Sequence, residues 1–151
     1  MNNNINNVVV RRMTMGDISF VAQIEKESFS MPWSEKSFTD ALADKNNIYV
    51  VALVDDNIVG YCGMWGCAGE GQIYNVCVTK AMRGKGVGGE LFRAFIDEGI
   101  KAGLSAFTLE VRVSNQSAIR LYEKCGFENA GIRKNFYDNP KEDAMIMWKY
   151  L

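Results

Sequence analysis

The 151-residue sequence predicts a mixed α/β fold whose sheet has an antiparallel front half and one β-α-β crossover in its middle. Three observations carry that expectation. Runs rich in β-branched residues alternate with segments of helical apolar period. Short polar turns join successive strands in the front half, as antiparallel neighbours allow. A glycine-rich turn between two later strands opens a long helix, the arrangement that links parallel neighbours.

Residues 8–13 read as the first strand. Thr14 and Asp17 resemble a capping box, after which Ile18, Val21, Ala22 and Phe29 define a helix with one apolar face. Pro32 and Trp33 interrupt it. Ser34 caps a short second helix with Phe38, Ala41 and Leu42 on one stripe. Strands follow over 48–54 and 58–65, joined by Asp55-Asp56-Asn57 as a three-residue hairpin turn. Residues 66–71 read as a flexible loop and 72–78 as a further strand. The turn over 83–89 opens the long helix, with Leu91, Phe92, Phe95 and Ile96 inward and Arg93, Asp97, Glu98 and Lys101 outward, and Gly103 ends it. A strand over 107–113 precedes a helix capped by Asn115, which runs to Lys124 and stops at Gly126. Closing strands over 131–137 and 144–151 complete one expected domain spanning residues 1–151.

Charge and composition narrow the function. Lys plus Arg number 17 against 18 Asp plus Glu, a net charge of -1, so no general electrostatic footprint for nucleic acid or an anionic membrane is expected. No run approaches the ~20 apolar residues needed to span a bilayer. The Asn-rich start, residues 1–7, lacks a basic stretch followed by an apolar one, so no secretory signal is expected. A cytoplasmic location follows, with Cys62, Cys67, Cys77 and Cys125 as reduced thiols. The Cys62–Cys67 spacing matches neither a redox C-x-x-C nor a zinc site. The sequence has no histidine, which excludes Ser-His triads, Cys-His pairs and His-ligated metals. A general base must then be a carboxylate, Lys, Tyr, Cys or water.

The strongest chemical signal is Arg83-Gly84-Lys85-Gly86-Val87-Gly88-Gly89, between a strand and a helix. Glycines there let successive amides point into one concavity, and the helix dipole adds positive charge suited to a pyrophosphate. Arg83 and Lys85 add mobile charge at the rim. A P-loop fails, because Lys85 is followed by Gly86 rather than Ser or Thr. A dinucleotide fingerprint is formally matched by Gly84, Gly86 and Gly89, but residues 79–82 separate strand from glycines, and too little chain follows for a second Rossmann half. A plain tight turn and an acyl-CoA pyrophosphate loop, [RQ]-x-x-G-x-[GA] on Arg83, Gly86 and Gly88, remain.

The second of these joins other segments. Together with Phe29-Ser30-Met31-Pro32-Trp33-Ser34, Ile73-Tyr74-Asn75-Val76-Cys77-Val78, Leu109-Glu110-Val111-Arg112-Val113-Ser114-Asn115, Leu121-Tyr122-Glu123-Lys124-Cys125-Gly126-Phe127 and Arg133-Lys134-Asn135-Phe136-Tyr137, it makes the chain resemble the GNAT superfamily of N-acetyltransferases over nearly its whole length. Within it the chain is similar to the bacterial enzymes that acetylate the N-terminal alanine of a small-subunit ribosomal protein. The resemblance implies a splayed, mostly antiparallel sheet with acetyl-CoA wedged where the strand at Val76, Cys77 and Val78 parts from that at Leu109. It implies backbone contacts from Val76 and Val78 to the cofactor's arm, amides of Arg83, Gly84, Lys85, Gly86, Val87, Gly88 and Gly89 on its pyrophosphate, and a further contact from Asn115. The valines also suit plain core burial, and Asn115 a helix cap.

The transfer needs a neutral amine. A terminal amine with pKa near ~8 is about a tenth neutral at pH 7, whereas a lysine near ~10.4 is neutral in under about a thousandth. By resemblance Glu110 is the base, directly or through a water, and Tyr122 donates to the departing thiolate; a solvated carboxylate and a packed aromatic are the plainer alternatives. Phe29, Trp33, Phe136 and Tyr137 are expected to flank the amine side, where hydrophobic lids would look the same. Other readings are a GNAT enzyme acting on a small amine or a protein lysine, and a silent acyl-CoA-binding partner subunit.

Overall fold

A computed structural model describes residues 7–151, so the Asn-rich start lies outside the described residues apart from Asn7. The strands are β1 (Val8–Arg12), β2 (Asn47–Val54), β3 (Asn57–Cys67), β4 (Glu70–Val78), β5 (Ala106–Arg112), β6 (Glu128–Tyr137) and β7 (Glu142–Tyr150). The helices are α1 (Ile18–Ser28), α2 (Glu35–Ala43), α3 (Val87–Lys101) and α4 (Gln116–Lys124), in the order the sequence predicts. Their starts are chemically marked. The Asp17 carboxylate accepts the Thr14 N–H at 2.8 Å, Ser34 Oγ accepts the Ser37 N–H at 3.1 Å, and Asn115 Oδ1 accepts the Ala118 N–H at 3.3 Å.

Among the described residues, seven strands form one mixed sheet in the order β1-β2-β3-β4-β5-β7-β6, in which β4 and β5 alone run parallel. Helices α3 and α4 cover one face over Leu91, Phe92, Phe95, Phe107 and Leu109. On the other, α1 and α2 bury Val21 and Phe38 against Tyr49 and Tyr61, whose rings meet Phe38 nearly edge-on.

Three local expectations change. The first hairpin turn has two residues, not three: Val54 pairs with Asn57, and Asp55 and Asp56 are both left-handed, with φ of 51° and 65°. Such a turn matches the twist of its strands. The loop over 66–71 is mostly ladder, because Cys67 pairs with Glu70 around Ala68 and Gly69. Gly71 marks close packing there rather than flexibility: a Cβ on it would lie 2.8 Å from Met64 Sδ and 2.9 Å from Phe107 Cδ1. Phe29 leaves the apolar face of α1, since it sits past the helix end in extended backbone and is 44% exposed.

The feature that makes a site is a split in the sheet. β4 pairs with β5 from Glu70↔Ala106 to Ile73↔Leu109, and no further. Beyond that point β4 pairs with β3, and β5 with β7. Tyr74 falls at the split without a partner, because Gly63 pairs with Asn75 and Met64 with Ile73. This bulge bends the strand and reverses its alternation. Ile73, Val76 and Val78 therefore pack toward α3 and α4, while Cys77 packs toward α1 and α2.

Candidate active site

Past the bulge, β4 offers an open edge. The Thr79 N–H donates to Val59 O at 2.8 Å, and Gly60 lies opposite Val78. Hydrogen-bonded pairs alternate along an antiparallel ladder, so Val76 and Val78 turn their N–H and C=O groups away from β3, into the gap, where Val78 O already accepts from Arg83 Nε. That is the geometry needed to hold an extended amide-bearing arm as an added strand. Cys77 is turned the other way: its backbone pairs with Tyr61, its side chain is 5% exposed, and burial pushes its thiol up. Any contact it makes with a cofactor in the gap is therefore not through its own hydrogen-bonding groups.

The glycine turn stands at the far end of this edge. Gly84 and Gly86 adopt φ of 75° and 85°, and Gly86 is the N-cap of α3. A Cβ on Gly84 would meet nothing within 4 Å, so backbone conformation rather than space calls for glycine there. The first helical bond runs from the Glu90 N–H to Gly86 O at 3.3 Å, which leaves the amides of Val87, Gly88 and Gly89 without an i−4 partner. The side chain of Val87 is fully buried. Arg83 differs from the mobile rim charge expected of it: its Nε donates to Val78 O at 2.8 Å and its Nη2 reaches Ser28 Oγ at 3.4 Å. The open edge and the orphan amides fit acetyl-CoA as an extended arm ending in a pyrophosphate.

Next to the split lies a cleft of about 680 Å³. Val76, Glu110, Asn115 and Tyr122 line it together with Phe29, Trp33, Phe136 and Tyr137, so residues spread over more than a hundred positions converge. Glu110 follows Leu109, the last β5 residue paired to β4; its side chain is 28% exposed and its Oε1 lies 3.9 Å from Arg133 Nη1. The Tyr122 ring packs at 4.9 Å from Phe92 and 6.2 Å from Phe127, so core packing is one of its roles. Its hydroxyl bonds no described residue and is not a buried orphan, so it opens onto the cleft. Burial pushes this phenol well above its ordinary range and keeps it protonated at neutral pH.

Sequence reasoning missed the supports of the amine side. Glu25, 3% exposed, accepts the Tyr61 hydroxyl on Oε1 and the Trp33 N–H on Oε2 at 2.9 Å, which fixes the break between α1 and α2. Its signal was legible: it stands four residues after Val21, on the apolar face of α1. Across the cleft, Ser30 Oγ donates to Asn139 O at 2.7 Å and joins that break to the β6–β7 loop, residues 138–141. Nothing local marks that pair. Burial, with the Glu110 charge nearby, pushes the Tyr137 phenol up to about 12. All four cysteines are free thiols, and no helix among the described residues is long and apolar enough to cross a membrane.

An open strand edge beside a bulge, ending at a glycine turn that leaves the first amides of a helix free, has the shape an acyl-CoA needs. The model of the Acetyltransferase (GNAT) family matches residues 18–127, and the chain belongs to that family. It is an acetyltransferase, of a family whose acyl donor is acetyl-CoA. Over 134 residues, 87% of this chain and 89% of the relative, it is 35% identical to the [ribosomal protein bS18]-alanine N-acetyltransferase of Salmonella typhimurium. It is 40% identical over 140 residues to a Bacillus subtilis protein to which the same activity is provisionally ascribed, spanning 92% of this chain and 93% of that one. The solved structure of the Escherichia coli ribosomal-protein-S18-alanine N-acetyltransferase superposes with a TM-score of 0.87 at 29% identity, over 95% of this chain and 94% of that chain.

Proposed function

We propose that this chain, as one catalytic domain, transfers acetyl from acetyl-CoA to the N-terminal alanine of ribosomal protein bS18 in the cytoplasm. The observation that carries this reading is the joint presence of Glu110 and Tyr122 on one cleft at the β4–β5 split, whose opposite side is closed by the Ser30–Asn139 bond. Acetyl-CoA supplies the activated acetyl group, as a thioester. Val76 and Val78 would hold its arm, and the amides from Gly84 to Gly89 would hold its pyrophosphate; the Arg83 N–H, expected to share in this, is instead given to Lys80 O at 3.3 Å. Glu110 takes a proton from the incoming ammonium, directly or through a water, because a protonated amine cannot attack. The neutral nitrogen then attacks the thioester carbonyl, and the C–N bond forms as the C–S bond breaks. Tyr122 gives its proton to the departing sulfur so that it leaves as the thiol, and the proton shed by the attacking nitrogen passes through solvent to reprotonate the phenolate. Phe29, Trp33 and Tyr137 line the path of the acceptor, and the joined loops above it favour a chain end over a lysine flanked by chain on both sides.

The test is mass-spectrometric acetylation of N-terminal peptides, among them one beginning with the alanine end of bS18, alongside the same peptide blocked at its N-terminus and a polyamine. The free peptide should react far faster than either control. Comparable rates on the blocked peptide or the polyamine would overturn the N-terminal reading and leave the family assignment standing.

A further inference from the structure

Arg112 ends β5 two residues after Glu110, on the same face of the strand. Its Nη1 donates to Pro140 O at 2.8 Å and meets Glu142 Oε1 at 3.3 Å, and its Nη2 reaches Asp138 O at 3.4 Å. The guanidinium lies over the Tyr137 ring, 4.3 Å from its centroid. Glu142 is held in turn, since its Oε2 accepts the Ser114 N–H at 2.8 Å. The Ser30 hydroxyl takes the carbonyl between the two that Arg112 holds, that of Asn139. Three successive carbonyls of the β6–β7 loop are thus gripped, the outer two from β5 below and the middle one from across the cleft.

We propose that Arg112 is the positioning residue of the acceptor mouth. It sets the Tyr137 ring and the loop over 138–141 against Ser30, and through them the affinity for the peptide acceptor. The side chain is 28% exposed and lines the cleft, so it is not a core pillar. Its task needs a planar fork that donates in two directions while stacking on a ring. A lysine ammonium, a point charge on a flexible stem, cannot do all three. The proposal rests on the reading that the amine enters between these loops.

The experiment compares wild type with R112A and R112K on the alanine-ended peptide, with acetyl-CoA binding followed by calorimetry. R112A should raise the peptide KM about tenfold or more while leaving the acetyl-CoA Kd within about twofold, and R112K should recover only part of the loss. Millimolar guanidinium should restore R112A, because the vacated position accepts the same planar cation. Trypsin should cut after Lys141 faster in both variants than in wild type, a readout of the loop that needs no turnover. An unchanged KM with unchanged trypsin cleavage would overturn the proposal. So would a loss confined to acetyl-CoA binding, or one that follows unfolding in both variants without guanidinium rescue. If wild type acetylates no N-terminal peptide but does acetylate a polyamine, the functional reading fails, and the trypsin comparison still decides whether Arg112 holds the loop.

Discussion

Replacing Glu110 by glutamine tests the chemistry with little change of shape. A terminal amine with pKa near ~8 is about a tenth neutral at pH 7, so providing the neutral form without a base costs about 1.4 kcal/mol. A positioned base recovers that and assists the transfer itself, so kcat should fall by ~10²-fold or more at pH 7, about 2.7 kcal/mol of transition-state stabilisation. Folding should scarcely respond. The Glu110–Arg133 contact is long, at 3.9 Å, and its side chains are 28% and 58% exposed, so its loss should cost under about 1 kcal/mol. The assay is the pH profile of kcat with the alanine peptide, read beside thermal unfolding of both proteins. In E110Q the rate should climb about tenfold per pH unit until the amine's own pKa near ~8, so the gap to wild type narrows toward pH 9. A rate equal to wild type, or a gap that stays constant from pH 7 to 9, would refute the base assignment.

Tyr122→Phe keeps the ring against Phe92 and Phe127 and removes only the hydroxyl that opens onto the cleft; kcat should fall by roughly 10²-fold while calorimetry finds acetyl-CoA binding within about twofold of wild type. Gly86→Val should abolish CoA binding, because at φ 85° an L-residue costs about 1–2 kcal/mol and the branched side chain blocks close backbone approach; calorimetric binding at wild-type strength would contradict the pyrophosphate turn. Asp17→Asn should lower stability by about 1 kcal/mol near neutral pH, since the carboxylate is held down first by Arg11 and also accepts from Thr14. Its folded pKa lies below the unfolded one, so that contribution is present above the unfolded value near ~4 and is lost as pH falls through the lowered folded value. Denaturant curves of the two proteins should therefore converge in acid.

The order of strands and helices was legible because each element is written in a short-range code: strand alternation, helical period, and caps at Thr14, Ser34 and Asn115. The glycine turn was legible for the same reason, since left-handed backbone at Gly84 and Gly86 is a local demand. Glu110, Tyr122 and the aromatics of the amine side came from resemblance, not from any pattern the residues make alone. The resemblance placed the opening of the sheet between Val76–Val78 and Leu109, and the tertiary structure decided how that opening is made. The split depends on the Tyr74 bulge and on pairing that ends at Ile73 and Leu109, a register set jointly by β3, β4 and β5. It likewise decided that Cys77 turns away from the gap, that Arg83 folds back on Val78, and that Ser30 meets Asn139. Periodicity says which face a residue takes on its own element, but a hydrogen bond across 109 positions exists only once packing has brought its two loops together.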